Sequence, residues 1–361
     1  MNRILERLRI AWAIAAKDIT SAFKNKTILS LMGTVAFLIV FYKYLPRLGS
    51  DGSLMTLVVY DQGESDLAYL LEDHPEFAFY AVPEMYRLER AVGREPGLWM
   101  GIVFPADLDQ TLARDESVAL DGYVAHWTKK ADVAQMQAFF QDQLSDAMGV
   151  PVYIQPVEEG IYPRPDWGGV GFTTSASFII VLMLVGYTVV SHLLVDEKQT
   201  RTMDALLVSP ASVGDVLMGK VIAGVVYGSA AMTVVLAFNG TVVVHWGLAL
   251  LTTLIGTLFS VGIGLLLGSL FSLKQQLTLW GYLAMNLLLL PVFLVIMTDL
   301  LPEVFIDVIQ WVPSVALSWI YRVSFAESIP AGPVALRLGA VLVSTVLLYC
   351  VVWLGLERSR E

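Results

Sequence analysis

The chain has 361 residues, of which 56% are hydrophobic and only 16% charged, with a mean hydropathy of +0.65. A soluble chain of this size carries about 25% charged residues, so the composition is that of an integral membrane protein. The net charge of −10 divides unevenly: residues 46–171 hold 8 Lys/Arg against 21 Asp/Glu, the remainder 15 against 12, and no basic patch argues for a nucleic-acid partner.

Residues 1–27 carry Arg3, Arg7, Arg9, Lys17, Lys24 and Lys26, while Ile4, Leu8, Ala11, Trp12, Ala15 and Ile19 recur at helical spacing. This predicts a basic amphipathic helix lying on the inner membrane surface. Residues 28–45 form a first span, read as an uncleaved anchor because no small-x-small cleavage site follows. Residues 46–171 are a soluble insertion of ordinary domain size. Within it, strands are expected at Met55–Tyr60, Phe77–Val82, Leu98–Phe104 and Val118–Val124, and helices at Met85–Val92, Ala106–Arg114 and Ala131–Met148. Their alternation predicts an α/β sheet. The exit, Tyr162 to Gly169, reads YPRPDWGG and is expected to be a turn-rich linker.

Further spans are expected at 172–194, 221–244, 248–273, 277–298 and 338–356, each long enough to cross a bilayer as a helix. Residues 299–332, broken by Pro302, Pro313 and Pro330, hold two amphipathic pieces too short to cross. They read as re-entrant or interfacial helices. Basic residues gather in the N-terminal segment, in the polar island between the second and third spans, at Lys274, and at Arg358 and Arg360. The positive-inside rule then puts both termini and the island in the cytoplasm and residues 46–171 outside.

The island reads VDEKQTRTMDALLVSPASVGDVLMGKV over residues 195–221. Met203, Leu206 and Leu207 fall at helical spacing and Pro210 ends the turn, which predicts a short amphipathic helix at the membrane face. Its apolar side needs lipid or a partner protein to cover it. Gly214 to Lys220 nearly matches the phosphate-binding loop G-x-x-x-x-G-K-[ST], but Val221 stands where the magnesium-binding hydroxyl belongs and no buried strand precedes it. Lys220 reads more simply as an anchor at the membrane edge. His192 and Asp196, four apart on one helix face, lack a third metal ligand nearby in sequence. The single cysteine, Cys350, allows no disulfide framework within one chain. Thr174, Ser177 and Thr188 in the second span and Asn286 in the fifth are polar points that either line a path or bond between helices.

Asp196-Glu197-Lys198, then Arg201-Thr202-Met203-Asp204-Ala205-Leu206-Leu207-Val208-Ser209-Pro210-Ala211-Ser212, then Gly219-Lys220-Val221, resembles the signature of type-2 ABC transporter permeases. Arg201 stands where that family usually has Gly. The insertion, with Val58-Val59-Tyr60-Asp61 and Gly101-Ile102-Val103-Phe104-Pro105, is similar to the external domain of the subgroup with a large first loop. The resemblance implies an α-helical membrane protein of six transmembrane helices, the type-2 ABC exporter fold, with an inserted extracytoplasmic α/β domain. It implies an elbow helix at 1–27, a coupling helix at 196–220 and external re-entrant helices at 299–332. Glu197, Arg201, Thr202, Met203, Leu206, Leu207 and Pro210 would then meet a cytoplasmic ABC ATPase subunit. ATP and magnesium would sit in that subunit, with no cofactor on this chain and no catalysis by it. A second permease chain, identical or paralogous, would complete the pore in the lipid bilayer. The competing reading is a membrane-bound receptor or secretion-linked scaffold whose external domain binds a ligand and moves no solute.

Overall fold

The computed structural model describes residues 2–24, 55–63, 74–200, 212–296 and 302–358, with the single positions 30, 33, 37, 65 and 71. The predicted first span lies outside these residues except at positions 30, 33 and 37, which are helical. The chain divides into two compact units. One holds Met1–Phe41, Thr174–Ser324 and Ser328–Glu361; the other holds Tyr42–Thr173 with Phe325–Glu327.

The second unit is an α/β domain. Its elements run β1 (Met55–Asp61), β2 (Phe77–Val82), α2 (Met85–Val92), β3 (Trp99–Phe104), α3 (Leu108–Leu112), β4 (Val118–Tyr123), α4 (Lys130–Met148) and β5 (Val152–Pro156). The sheet order is β2-β1-β3-β4-β5. β1 runs parallel to both β2 and β3, β4 is antiparallel to β3, and β5 is parallel to β4. Side chains alternate across a strand, so each face of the sheet carries its own core. On one, Leu57, Val59, Met100, Ile102, Leu120 and Ile154 pack with Met136, Phe140 and Leu144 of α4. On the other, Val58 packs with Leu88 and Val92 of α2 and with Trp167.

β5 was not expected. Its outer edge is bonded by side chains of α4: the Val152 amide donates to Ser145 Oγ, the Ile154 amide to Gln141 Oε1, and Gln137 Nε2 to the Ile154 carbonyl. An edge strand otherwise presents unpaired backbone groups, and here those polar side chains satisfy it.

The exit segment is a packed part of the domain rather than a linker. Ile161 bridges to Ala125, and Trp167 is buried with its Nε1 donating to Tyr86 Oη at 3.3 Å. The Arg164 guanidinium lies over the rings of Tyr86 and Trp167 and 3.6 Å from Glu89. Gly169 has φ +74 beside the Arg94 backbone, a left-handed conformation at a close approach that only glycine fills, and the Val170 amide donates to the Arg94 carbonyl.

The first unit is helical: α1 (Asn2–Lys24), α5 (Val170–Gln199, whose first turn belongs to the other unit), α6 (Val213–Phe238), α7 (Trp246–Leu270), α8 (Lys274–Leu294), α9 (Glu303–Ile309), α10 (Pro313–Phe325) and α11 (Ala331–Arg358). Among the described residues, five helices are long and apolar enough to cross a membrane: α5, α6, α7, α8 and α11. The pair α9 and α10 is bent by 86° at its break, the geometry of a broken span or of a re-entrant loop. α6 starts eight residues before the expected Val221 and α11 seven before 338, so both helices begin ahead of their expected spans. Arg337 belongs to one of those added turns; it stacks 3.9 Å above the Trp319 ring and donates to Gln310.

α5 and α7 are the most enclosed spans. They meet backbone to backbone: a Cβ on Gly264 would stand 2.5 Å from the Gly186 carbonyl oxygen, and one on Gly186 would collide with Ser260. This is the small-residue contact that lets membrane helices approach closely. α8 and α11 turn large apolar side chains outward instead, among them Leu283, Leu287, Leu290, Val343 and Leu347. Cys350 is exposed on α11.

Candidate functional site

The last turn of α5 is DEKQ, and successive helical residues point about 100° apart, so each reaches a different neighbour. Asp196 Oδ1 lies 2.6 Å from Lys274 Nζ at the start of α8. Glu197 lies 3.0 Å from Lys17 of α1 and 2.6 Å from Lys220 of α6. Lys198 Nζ donates to the Ser269 and Phe271 carbonyls, and Gln199 Nε2 to the Ser272 carbonyl. The Ser269 carbonyl is one that the end of α7 leaves unsatisfied, those of Phe271 and Ser272 follow it, and an ammonium also complements the negative end of the helix dipole. One turn therefore reaches four other helices: α1, α6, the end of α7 and the start of α8.

Lys220 is the most enclosed of these charges, with 1% of its side chain exposed. It donates to Asp18 Oδ2 at 2.8 Å. Burial raises the Asp18 carboxyl above its ordinary pKa, Lys220 opposes that rise, and the nearby Glu197 adds to it. α1 docks on α6 through this pair and two further contacts. A Cβ on Gly219 would stand 2.8 Å from Ile14 Cβ and 2.9 Å from the Ala11 carbonyl, so only glycine admits α1 this close. Tyr227 Oη donates to the Ile19 carbonyl. Beside this docked stripe, α1 leaves Leu5, Leu8 and Trp12 exposed.

α6 opens with a capping box. The Asp215 amide donates to Ser212 Oγ, and the Ser212 amide donates to Asp215 Oδ2. Gly214 to Lys220 is thus the start of a helix, whose amides bond along its own axis rather than cradling a phosphate. Lys220, expected as a simple edge anchor, is a buried ion-pair centre. Of the stretch 196–220, expected as a coupling helix, α5 takes the residues up to Gln199 and α6 those from Val213. Of the expected coupling residues, Glu197 is buried in the charge cluster. Arg201, Thr202, Met203, Leu206, Leu207 and Pro210 lie outside the described residues.

The four candidate pathway residues do not converge. Ser177 and Thr188 share the least buried stripe of α5 with Ile180, Leu184, His192 and Asp196. Thr174 is turned to the buried side, and its carbonyl accepts from Ser177 Oγ. Asn286 lies on the exposed face of α8 and donates to the Tyr282 carbonyl. His192 and Asp196 part as well: the imidazole Nδ1 meets the Thr188 carbonyl while Asp196 turns to Lys274.

Sequence reasoning missed Lys17 and Asp18 as partners of the island. One signal was available. Asp18 falls on the same helical stripe as Ala11, Ile14 and Ala15, and a charge on an apolar face needs a buried partner.

No curated protein matches this chain. A family model described as ABC-2 family transporter protein matches residues 26–354, which is nearly the whole sequence and takes in the α/β domain, the spans and the charged turn of α5. The chain belongs to the ABC-2 family of transporter membrane proteins.

Proposed function

We propose that the chain is the membrane-spanning permease subunit of an ATP-driven exporter, moved by a separate cytoplasmic ABC ATPase that docks on the segment between α5 and α6. The observation that carries this reading is the charged last turn of α5. It stands immediately before that segment and grips α1, α6, α8 and the end of α7 at once. A force applied by a docked partner therefore reaches several spans through one turn of helix. Both termini and this charged end face the cytoplasm, and the α/β domain lies outside. A second permease chain, identical or paralogous, completes the pathway by alternating access. ATP and magnesium belong to the ATPase; this chain contributes no catalytic group.

Met203, Leu206 and Leu207 are the anchors that would enter a groove on the ATPase, in the mode of a helix laid in a groove. Losing a buried apolar anchor at such a centre costs about 2 kcal/mol or more, roughly thirtyfold in affinity. Co-purification of the chain with its ATPase tests the reading. Leu206→Asp is expected to lose the ATPase while the permease stays folded and inserted. Full complex formation and full substrate-stimulated ATP hydrolysis in that variant would overturn it.

A further inference from the structure

Lys220 has two carboxylates, and Glu197 has two ammonium groups. Asp18 Oδ2 stands 2.8 Å from Lys220 Nζ, Glu197 Oε2 stands 2.6 Å from the same nitrogen, and Glu197 Oε1 stands 3.0 Å from Lys17 Nζ. The two inner groups, Lys220 and Asp18, are closed off from solvent, whereas half of the Lys17 side chain is exposed. α1 and α6 are held to each other without any help from Glu197, by the Asp18–Lys220 pair, the Gly219 contact and the Tyr227 hydrogen bond. Among these charges, α5 joins the pair through Glu197.

A simple buried ion pair makes a poor moving part, because separating it strands two charges in a low dielectric. This cluster escapes that cost. When α5 draws away from α6, Lys220 keeps Asp18, and Glu197 keeps Lys17, whose long half-exposed stem can follow. Both products are neutral pairs. We infer that the cluster is a release latch between α5 and the α1–α6 pair, with Asp18 and Lys17 as positioning residues that hold the charges while it is open. The proposed coupling supplies what moves α5, and to that extent the latch rests on it; the exchange of partners follows from the cluster alone.

The test uses the chain without any ATPase, reconstituted in phospholipid vesicles in a Cys350→Ser background. Spin labels at Thr200 and Met218, diluted with unlabelled chain, report the distance between the ends of α5 and α6 by pulsed EPR. The wild type is expected to show a short, latched distance and a longer one. Asp18→Asn removes one of the two carboxylates on Lys220, and Lys17→Gln removes one of the two ammonium groups on Glu197. Each is expected to raise the ratio of short to long at least twofold. Glu197→Gln is expected to lower it by at least as much. A plain tether predicts the opposite for Lys17→Gln, since removing a tie between α1 and α5 loosens α5. That result, a single distance in the wild type, or three variants that move together would overturn the latch. Lys17 is exposed enough that its substitution leaves folding intact, which keeps the test decisive if Asp18→Asn misfolds. Because no ATPase is present, failure here is distinct from failure of the docking reading, which Leu206→Asp addresses.

Discussion

Lys220 carries a charge to a place where 1% of its side chain meets solvent. Removing one partner of a buried pair strands the other, at a cost of about 3–5 kcal/mol, whereas replacing both is often close to neutral. Lys220→Met is therefore expected to lower the midpoint of thermal unfolding in detergent sharply, because it leaves Asp18 buried without its cation. Adding Asp18→Asn should recover most of the loss, with Glu197 still served by Lys17. The two substitutions adding up as independent losses would show that the pair is not coupled. These residues were hard to read as partners because Lys220 and Asp18 stand 202 positions apart, and Lys17 and Glu197 180. The island displayed its charges plainly; nothing local tied them to the N-terminal helix except one acid on an apolar stripe.

Elements were most legible where a periodicity ran uninterrupted. β1, β2 and β3 fall within a residue of their expected bounds. β5 is hard to read from sequence because it is five residues long, follows Pro151 and ends on Pro156, and places Tyr153 outward, so the apolar-polar alternation that marks a strand is blurred. The exit segment was misread for a related reason. Prolines and glycines mark turns, and they do so equally in a free linker and in a turn pinned by Trp167 and Arg164. The start of α6 shows the converse: hydropathy places the span at Val221, but the helix begins where Ser212 and Asp215 form a cap. Ser212→Ala is expected to cost about 1 kcal/mol of stability, read as a lower unfolding midpoint, while Ser212→Thr, which keeps the hydroxyl that bonds Asp215, should be near neutral. Equal losses in both would argue that the cap is not what starts the helix.

For the molecule as a whole, charge distribution makes a prediction about sidedness. The positive-inside rule leads us to expect the basic helix ends in the cytoplasm and residues 46–171 outside. In a Cys350→Ser background, cysteines at Asp121 or Glu158 are expected to react with an impermeant thiol reagent on intact cells. Cysteines at Gln199 or Arg358 should react only after permeabilisation. The reverse pattern would invert the orientation.

The docking of α1 on α6 also sets a timetable. Asp18 leaves the ribosome about 200 residues before Lys220, which at ~5–20 residues per second is a wait on the order of 10–40 s. During that interval the aspartate has no buried cation to meet, and a carboxylate cannot enter an apolar contact alone. The nascent N-terminal helix must therefore idle at the water interface until the third span arrives to receive it, and its seat is fixed late in biogenesis although it is made first. In chains halted at Pro210, a cysteine at Ala15, which is buried in the finished protein, should remain open to a water-soluble thiol reagent. In the full-length chain it should be protected.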